Sequence, residues 1–317
     1  MGIISGSWLS SMGLRSIELL AIGLPTSLLL ATTALAEERV FDKTFAVTPG
    51  GVLTVDTDSG AIKVSGTDRN EVSVHAVIHG SRSLTEKFEI TADSNNEGVS
   101  VIGRRPKWLG MSWSFGSEDI QYTIQIPRNY HVEVRTSGGN LELRDFNGRA
   151  HCRTSGGNVS IGTINGDVQI QTSGGNIRGT QLIGDVRAGT SGGTIKFDNV
   201  HGSVEVNTSG GDIELAAIEG KLLAKTSGGH VEAKLTGDNK GVDLRSSGGD
   251  ITIVVPKQFA ATLEAHTSGG DVACDLPVTV TSTHGKHSGD LNGAINGGGN
   301  TLTLRTSGGD IDIRASL

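Results

Sequence analysis

The sequence predicts an all-β protein, a β-solenoid (β-helix-like) of ~18-residue coils with an N-terminal β-hairpin cap. Three observations predict it. The tetrapeptide Thr-Ser-Gly-Gly begins at 136, 154, 172, 190, 208, 226, 267 and 306, with Ser-Ser-Gly-Gly at 246. Apolar positions alternate with polar ones between these marks. The 317 residues include 47 glycines and only 6 prolines, with 4% aromatic and 19% charged residues, so the turns are many and tight. That composition excludes a long helical bundle and a disordered charged chain. A formal charge of −7, with both signs interspersed, shows no footprint for nucleic acid, and no nucleic acid partner is expected.

From the start of the chain, residues 1–36 read as a signal peptide. Arg15 precedes the apolar "IELLAIGLPTSLLLATTALA", which ends in Ala34-Leu35-Ala36 before "EERV", the layout of a small-x-small cleavage site. An uncleaved membrane anchor is the alternative; Glu18, Pro25 and the Ala-Leu-Ala end favour cleavage. No cysteine follows, so a lipid anchor is not indicated. No later stretch is apolar and long enough to span a bilayer, and no transmembrane segment is expected in the mature chain. The expected location is outside the cytoplasm: periplasmic, cell-surface or extracellular.

Residues 37–135 read as an N-terminal β region continuous with the solenoid. "GGVLTVDTDSGAIKVSG", "EVSVHAVIHG", "KFEITAD", "GVSVIGR" and "IQYTIQIP" are strands by period-two alternation. Asp58-Ser59-Gly60-Ala61 resembles a degenerate first coil. The remainder is expected to form hairpins over the solenoid's end, where bare N–H and C=O groups would invite aggregation.

Residues 136–317 carry the β-solenoid repeats. Counting each threonine as the first position, the sixth is Leu141, Val159, Ile177, Ile195 and Ile213. The eleventh is Phe146, Ile164, Leu182, Val200 and Ile218; the fifteenth is Ala150, Val168, Val186, Val204 and Leu222. A glycine separates the two half-coils at 148, 166, 184, 202 and 220. One such unit cannot bury its apolar face alone, whereas stacked units share a continuous core. The coils loosen after 226, and the chain stops half a coil beyond Thr306. That final strand is expected to be the end of the stack, either capped by its polar residues or an open edge.

The motifs that could carry chemistry are absorbed by this pattern. Gly189-Thr190-Ser191-Gly192-Gly193 approaches the "GDSGG" of trypsin-like proteases, but every coil carries the tetrapeptide. A turn with glycine at positive φ and hydroxyls bonded to backbone is expected. No helix follows to make a phosphate cradle. Calcium-binding β-rolls need two aspartate columns per coil. Here one column, Asn140, Asn158, Asn176, Thr194, Asp212, His230, Asp250 and Asp271, reads as a turn-capping ladder, with Asp212, Asp250, Asp271 and Asp310 as weak cation contacts at most. "HGKHSGD", His284 to Asp290, reads as a surface loop. Outward columns mix signs at random, without the sugar platforms of a polysaccharide-cleaving enzyme. No catalytic residue, metal site or cofactor is expected. Cys152 and Cys274 are seven repeats apart, ~34 Å at the strand spacing, so both are expected as buried small hydrophobes rather than a disulfide.

The exception is residues 104–115, "RRPKWLGMSWSF", where Trp108, Met111, Trp113 and Phe115 accompany three cations. Such a segment is a candidate binding loop, with a plug over the solenoid's open end as the alternative.

The run "YTIQIPRNYHVEVRTSGGNLELRDFNGRAHCRTSGGNVSIGTINGDVQIQTSGGNI" resembles the putative-adhesin family of bacterial β-strand-repeat proteins, a domain of unknown function. The resemblance extends over roughly residues 45–315, through Ile126-Pro127 and the tandem half-coils. It implies an exported bacterial β-solenoid at the cell envelope and brings no catalytic residues. The expected function is therefore a non-enzymatic adhesin or envelope-interaction protein whose partner is a cell-surface or envelope component, protein or glycan. A carbohydrate-active enzyme on a β-helix scaffold and a structural periplasmic scaffold module are the alternatives.

Overall fold

A computed structural model describes residues 37–80, 82–105, 119–280 and 289–316. The described residues are nearly all β, in one sheet of 15 strands and another of 14, with one short helix, Arg82–Lys87. Through the middle of the molecule each strand lies parallel to its counterpart 18 residues on, for example Val159 beside Ile177 and then Ile195 beside Ile213. The first sheet takes Leu141–Arg144, Val159–Ile161, Ile177–Ile183, Ile195–His201, Ile213–Glu219 and Val231–Leu235 in succession. The second takes His131–Thr136, Ala150–Arg153, Val168–Gln171, Val186–Gly189, Val204–Asn207 and Leu222–Lys225. One strand from each sheet makes a rung.

The apolar columns face inward and are shut off from water: Leu141, Ile177, Ile195 and Ile213 are at most 1% exposed. Each such side chain contributes roughly 1.5–3 kcal/mol of burial. Two further columns complete the core, the eighth position (Leu143, Ile161, Phe197, Leu215) and the seventeenth (Cys152, Ile170, Ala188, Val206, Ala224). Size is matched between neighbours, since the Phe197 ring fills the space that a side chain at Gly179 would need, its Cδ1 lying 2.5 Å from where a Cβ would stand.

The Thr-Ser-Gly-Gly corner works differently from the expected turn. Its threonines are buried, and from Thr154 on each hydroxyl donates to a glycine carbonyl of the neighbouring rung, as Thr208 Oγ1 does to Gly193 O at 2.9 Å, whereas Thr136 donates to its own Gly138 carbonyl. The same oxygen accepts from the amide of its own second glycine, Gly211 N, at 3.3 Å. That glycine is required by contact rather than by φ: a Cβ on Gly193 would stand 2.0 Å from the Gly175 carbonyl oxygen. Among these corners the tetrapeptide glycine at positive φ is Gly139 (φ 131°). Positive φ is concentrated in the opposite half of the repeat, at Gln181, Asn199 and Ala217 (φ 53–59°) and at glycines such as Gly184 (φ 128°).

At both ends spatial order departs from chain order. The rung Val52–Thr57 with Ala61–Thr67 stacks directly on His131–Thr136 and Leu141–Arg144. The later strands Gly98–Arg104 and Asp119–Pro127 form the next rung outward. Antiparallel strands close this end, Glu71–Gly80 and Glu37–Ala46 on the first sheet and Glu89–Ser94 on the second. Arg39 reaches the Phe88 carbonyl at 2.5 Å, and Phe41 and Phe45 pack on the core from the edge strand.

The far end corrects the expected linear order. Thr301–Thr306 and Ile311–Ala315 are not the terminal edge; they lie between Val242–Arg245 with Ile251–Val255 on one side and Ala261–Thr267 with Val272–Cys274 on the other. The chain builds the outer rung first, turns through the antiparallel Asp290–Ile295, and returns to fill the gap. Leu302, Leu304, Ile311 and Ile313 are accordingly buried as deeply as any central residue. Both cysteines are free; Cys152 is buried, but Cys274 is only half-buried because its short strand is the edge of the first sheet.

Candidate functional site

The repeated threonine hydroxyls and most fifth-column side chains are engaged by the stack itself, while the serines of the tetrapeptide are exposed. The threonine column is hydrogen-bonded as above. In the fifth column every side chain but Thr194 and the outermost Asp271 accepts the next rung's amide: Asn140 Oδ1 from Asn158 N at 2.9 Å, Asp212 from His230 N at 2.8 Å, Asp250 from Asp310 N and Asp310 from Asp271 N, both at 2.9 Å. Among the described residues no three His, Cys, Asp or Glu side chains converge as a metal ion would require. Of "HGKHSGD", Asp290 is described, and it bonds His266 Nδ1 at 2.5 Å; His284, Lys286, His287 and Ser288 lie outside the described residues.

The predicted binding residues Trp108, Met111, Trp113 and Phe115 also lie outside the described residues. The strands that bracket them are described and place their points of attachment. Gly98–Arg104 ends beside Thr57, and Asp119–Pro127 starts beside the residues that lead into Ala61. In the neighbouring rung that corner is Asp58-Ser59-Gly60, the counterpart of Thr-Ser-Gly-Gly. The segment is therefore attached at the corner where the other described rungs make a short turn.

Its root is a polar clamp. Arg104 Nη2 donates to Asp56 Oδ2 at 2.6 Å and Nη1 to the Asp56 carbonyl at 3.0 Å, while Asp58 Oδ1 stands 3.6 Å away. The Asp56 hydrogen bond holds Arg104 above its ordinary pKa against a smaller opposing effect of burial. Asp58 N donates to Gly103 O at 3.0 Å, and Arg105 N donates to Asp58 Oδ2 at 2.9 Å. Beneath them Tyr122 OH and Thr57 Oγ1 share a buried hydrogen bond of 3.0 Å. Burial pushes the phenol up to about 12, with the Thr57 bond opposing. Gly103 must be glycine here, because a Cβ would sit 2.3 Å from the Tyr122 hydroxyl. The sequence placed the segment; it did not show that Asp56, Thr57 and Tyr122 brace it, because those residues meet only after the rungs stack.

The outer faces correct the expectation of random charge. Several in-register neighbours are paired by sign: Lys63 with Glu142 at 3.2 Å, Arg187 with Glu205 at 3.5 Å, His201 with Glu219 at 2.8 Å, and Lys196 with Glu214. Exposed pairs of this kind are worth ~0–1 kcal/mol each, so they serve register more than stability. Two shallow clefts open on the outer face of the second sheet. One of ≈ 280 Å³ is lined by His131, Glu133, Arg149, His151, Gln169 and Arg187; the other, of ≈ 530 Å³, by Thr262, Glu264, His266, Asn292 and Arg305.

Stacked parallel rungs, hydrogen-bonded corners and charge-matched outer columns define an all-β repeat protein of solenoid-like build. The chain belongs to the Toastrack DUF4097 family, whose model matches residues 52–314. This agrees with the putative-adhesin resemblance seen in the repeats. Among solved structures, a putative adhesin from Parabacteroides distasonis ATCC 8503 is 12% identical, with a TM-score of 0.45 over 88% of this chain and 97% of that one. A putative adhesin from Bacteroides fragilis NCTC 9343 is 13% identical, with a TM-score of 0.37 over the same shares. A putative lipid binding protein from P. distasonis ATCC 8503 is 11% identical, with a TM-score of 0.43, again over 88% and 97%. No curated protein matches. No helix among the described residues is long and apolar enough to cross a membrane.

Proposed function

We propose that this is an exported, non-enzymatic protein whose 37–135 region and 136–317 repeats form one closed β-solenoid of ~18-residue coils, and that it acts by adhesion or contact at the cell envelope. Its partner is a cell-surface or envelope component, protein or glycan, and residues 1–36 are the signal peptide that sends it there. The observation that carries this reading is the use of the repeated chemistry. The threonine hydroxyls and the amides and carboxylates of the fifth column bond from rung to rung, as in Thr208 to Gly193 and Asp250 to Asp310, and the exposed serine hydroxyls beside them have no histidine or carboxylate bonded to them among the described residues. What remains free is surface.

Within that surface, Trp108, Met111, Trp113 and Phe115 are the proposed contact residues. The clamp of Arg104, Asp56 and Asp58 supports the reading, since a segment that presses on a partner needs a rigid root. The test is binding of the purified mature chain to intact cells and to envelope fractions, with Trp108→Ala/Trp113→Ala alongside. Binding that the double variant loses while its melt is unchanged supports a contact loop. Lost stability with retained binding makes the segment a plug, and binding to nothing in the envelope overturns the proposal.

A further inference from the structure

The outer faces also set like charges in register, Arg178 beside Lys196 and Lys225 beside Arg245, and in each of these pairs one member has an ion pair; at one further pair, among the described residues, neither does. In the second sheet Arg135 of His131–Thr136 lies in register with Arg153 of Ala150–Arg153, and Arg149 precedes the latter strand. All three are exposed, and among the described residues none of their guanidiniums has an ion pair or hydrogen bond. The carboxylates near them are committed elsewhere or stand apart. Asp56, in register with Arg135 from the other side, is held by Arg104 at 2.6 Å. Asp167, in line with Arg149, accepts the Asp185 amide at 3.1 Å. Glu133, on the same face, is exposed and makes no ion pair among the described residues.

A second run of cations shows what neutralisation looks like in this molecule. Arg245, Arg305 and His266 also lie in register, yet Arg245 is bound by Asp243 at 2.7 and 2.8 Å, Arg305 faces Glu264 at 3.6 Å, and His266 bonds Asp290. Like charges directly opposite on a sheet are destabilising. At Arg135 and Arg153 no ion pair among the described residues relieves that cost, the kind of local inconsistency that marks functional surface.

We propose that this face of the second sheet binds a linear anionic polysaccharide, with Arg135, Arg149 and Arg153 gripping its acidic groups. The backbones of Arg135 and Arg153 stand about one strand spacing apart, ~4.8 Å, on adjacent paired strands, and each guanidinium offers a planar fork that matches a carboxylate in two hydrogen bonds. The next strand, Val168–Gln171, extends the face with exposed Gln169 and Gln171, and His151 lies between, so hydrogen-bonding groups for sugar hydroxyls flank the cations. The exposed large hydrophobics among the described residues are Val40, Ile102, Ile183 and Val280, none on these three strands, so the patch has no anchor for a bilayer. Phe146 and Tyr130, the aromatics nearest in sequence, are both buried and offer no base-stacking surface for nucleic acid. None of the three arginines belongs to residues 104–115, and their variants are read separately from Trp108→Ala/Trp113→Ala.

The experiment measures binding of the mature full-length chain to immobilised polygalacturonate at low ionic strength, with neutral dextran as the blank. Saturable binding that weakens as salt is added is expected, and Arg135→Gln/Arg153→Gln should lose about tenfold in affinity with an unchanged melt. Arg178→Gln, an exposed unpaired arginine on the first sheet, should stay within about twofold of the wild type. No saturable binding, or equal effects of the two variants, overturns the proposal. So does binding to phosphatidylglycerol vesicles in the absence of polygalacturonate binding, which would assign the patch to a membrane surface.

Discussion

The middle of the molecule and its two ends are built by different rules. Between Leu141 and Arg245 neighbours in space are neighbours in the repeat, and each rung needs only the one before it. At the ends the chain skips a place and returns to fill it, with Val52–Thr67 inside Gly98–Pro127 and Thr301–Ala315 inside Ala261–Cys274. A regular stack can nucleate anywhere and propagate. A threaded end completes only when distant segments meet, so its stability is coupled across longer stretches of chain and its outermost strands are not its last to be made.

That contrast is broken most forcefully by deleting residues 301–317. Removing Leu302, Leu304, Ile311 and Ile313 forfeits roughly 6–12 kcal/mol of gross apolar burial and leaves the Ala261–Cys274 rung without a partner. Urea unfolding should show loss of the whole C-terminal end, and limited proteolysis should trim back toward Val255. A wild-type transition in the truncated chain would refute the threading. In the regular middle Ile213→Ala should cost about 2–5 kcal/mol in a thermal melt, and an unchanged melt would reverse the inward assignment of its column.

Finer contrasts lie within one corner and between the two ends. Gly193→Ala should destabilise by about 1–3 kcal/mol, because its Cβ would press on the Gly175 carbonyl. Gly192→Ala, where nothing lies within 4 Å, should stay within about 0.5 kcal/mol. At the N-terminal end, Tyr122 has a folded pKa of about 12, above its unfolded value of about 10. Its neutral form is therefore favoured by folding: the contribution is complete below about pH 10, falls as pH rises from there, and is gone above about pH 12, amounting to roughly 2–3 kcal/mol. Tyr122→Phe should flatten that alkaline loss in denaturation curves taken between those limits. The smallest expected effect separates the cysteines. An alkylating reagent should label half-buried Cys274 in the native protein and spare Cys152, whose burial pushes its thiol up to about 12; equal labelling would contradict the depth assigned to Cys152.

Much of this was legible in advance, and the reasons for the rest are physical. Period-two alternation and the 18-residue spacing identified the inward columns, because a side chain's face in a strand is decided locally. The roles of the glycines were misassigned for the opposite reason: Gly193 is demanded by a carbonyl in another rung, a contact absent from its own tetrapeptide. The same holds for charge. Lys196 and Glu214, 18 residues apart, look unrelated along the chain and become neighbours through register. At the candidate site, the aromatic segment was conspicuous by composition, whereas Asp56, Tyr122, Arg135 and Arg153 carry no local signal and acquire meaning only from what stacks beside them.

Sequence alone thus determined that the chain is all-β, which residues face inward, and where the repeat is interrupted, since backbone preference and alternation act over a few residues. Tertiary structure decided the order of the rungs at both ends, the reason the corners need glycine, and which cations are left unpaired. Those outcomes depend on contacts between rungs, and parallel strands record their partners in no single stretch of sequence.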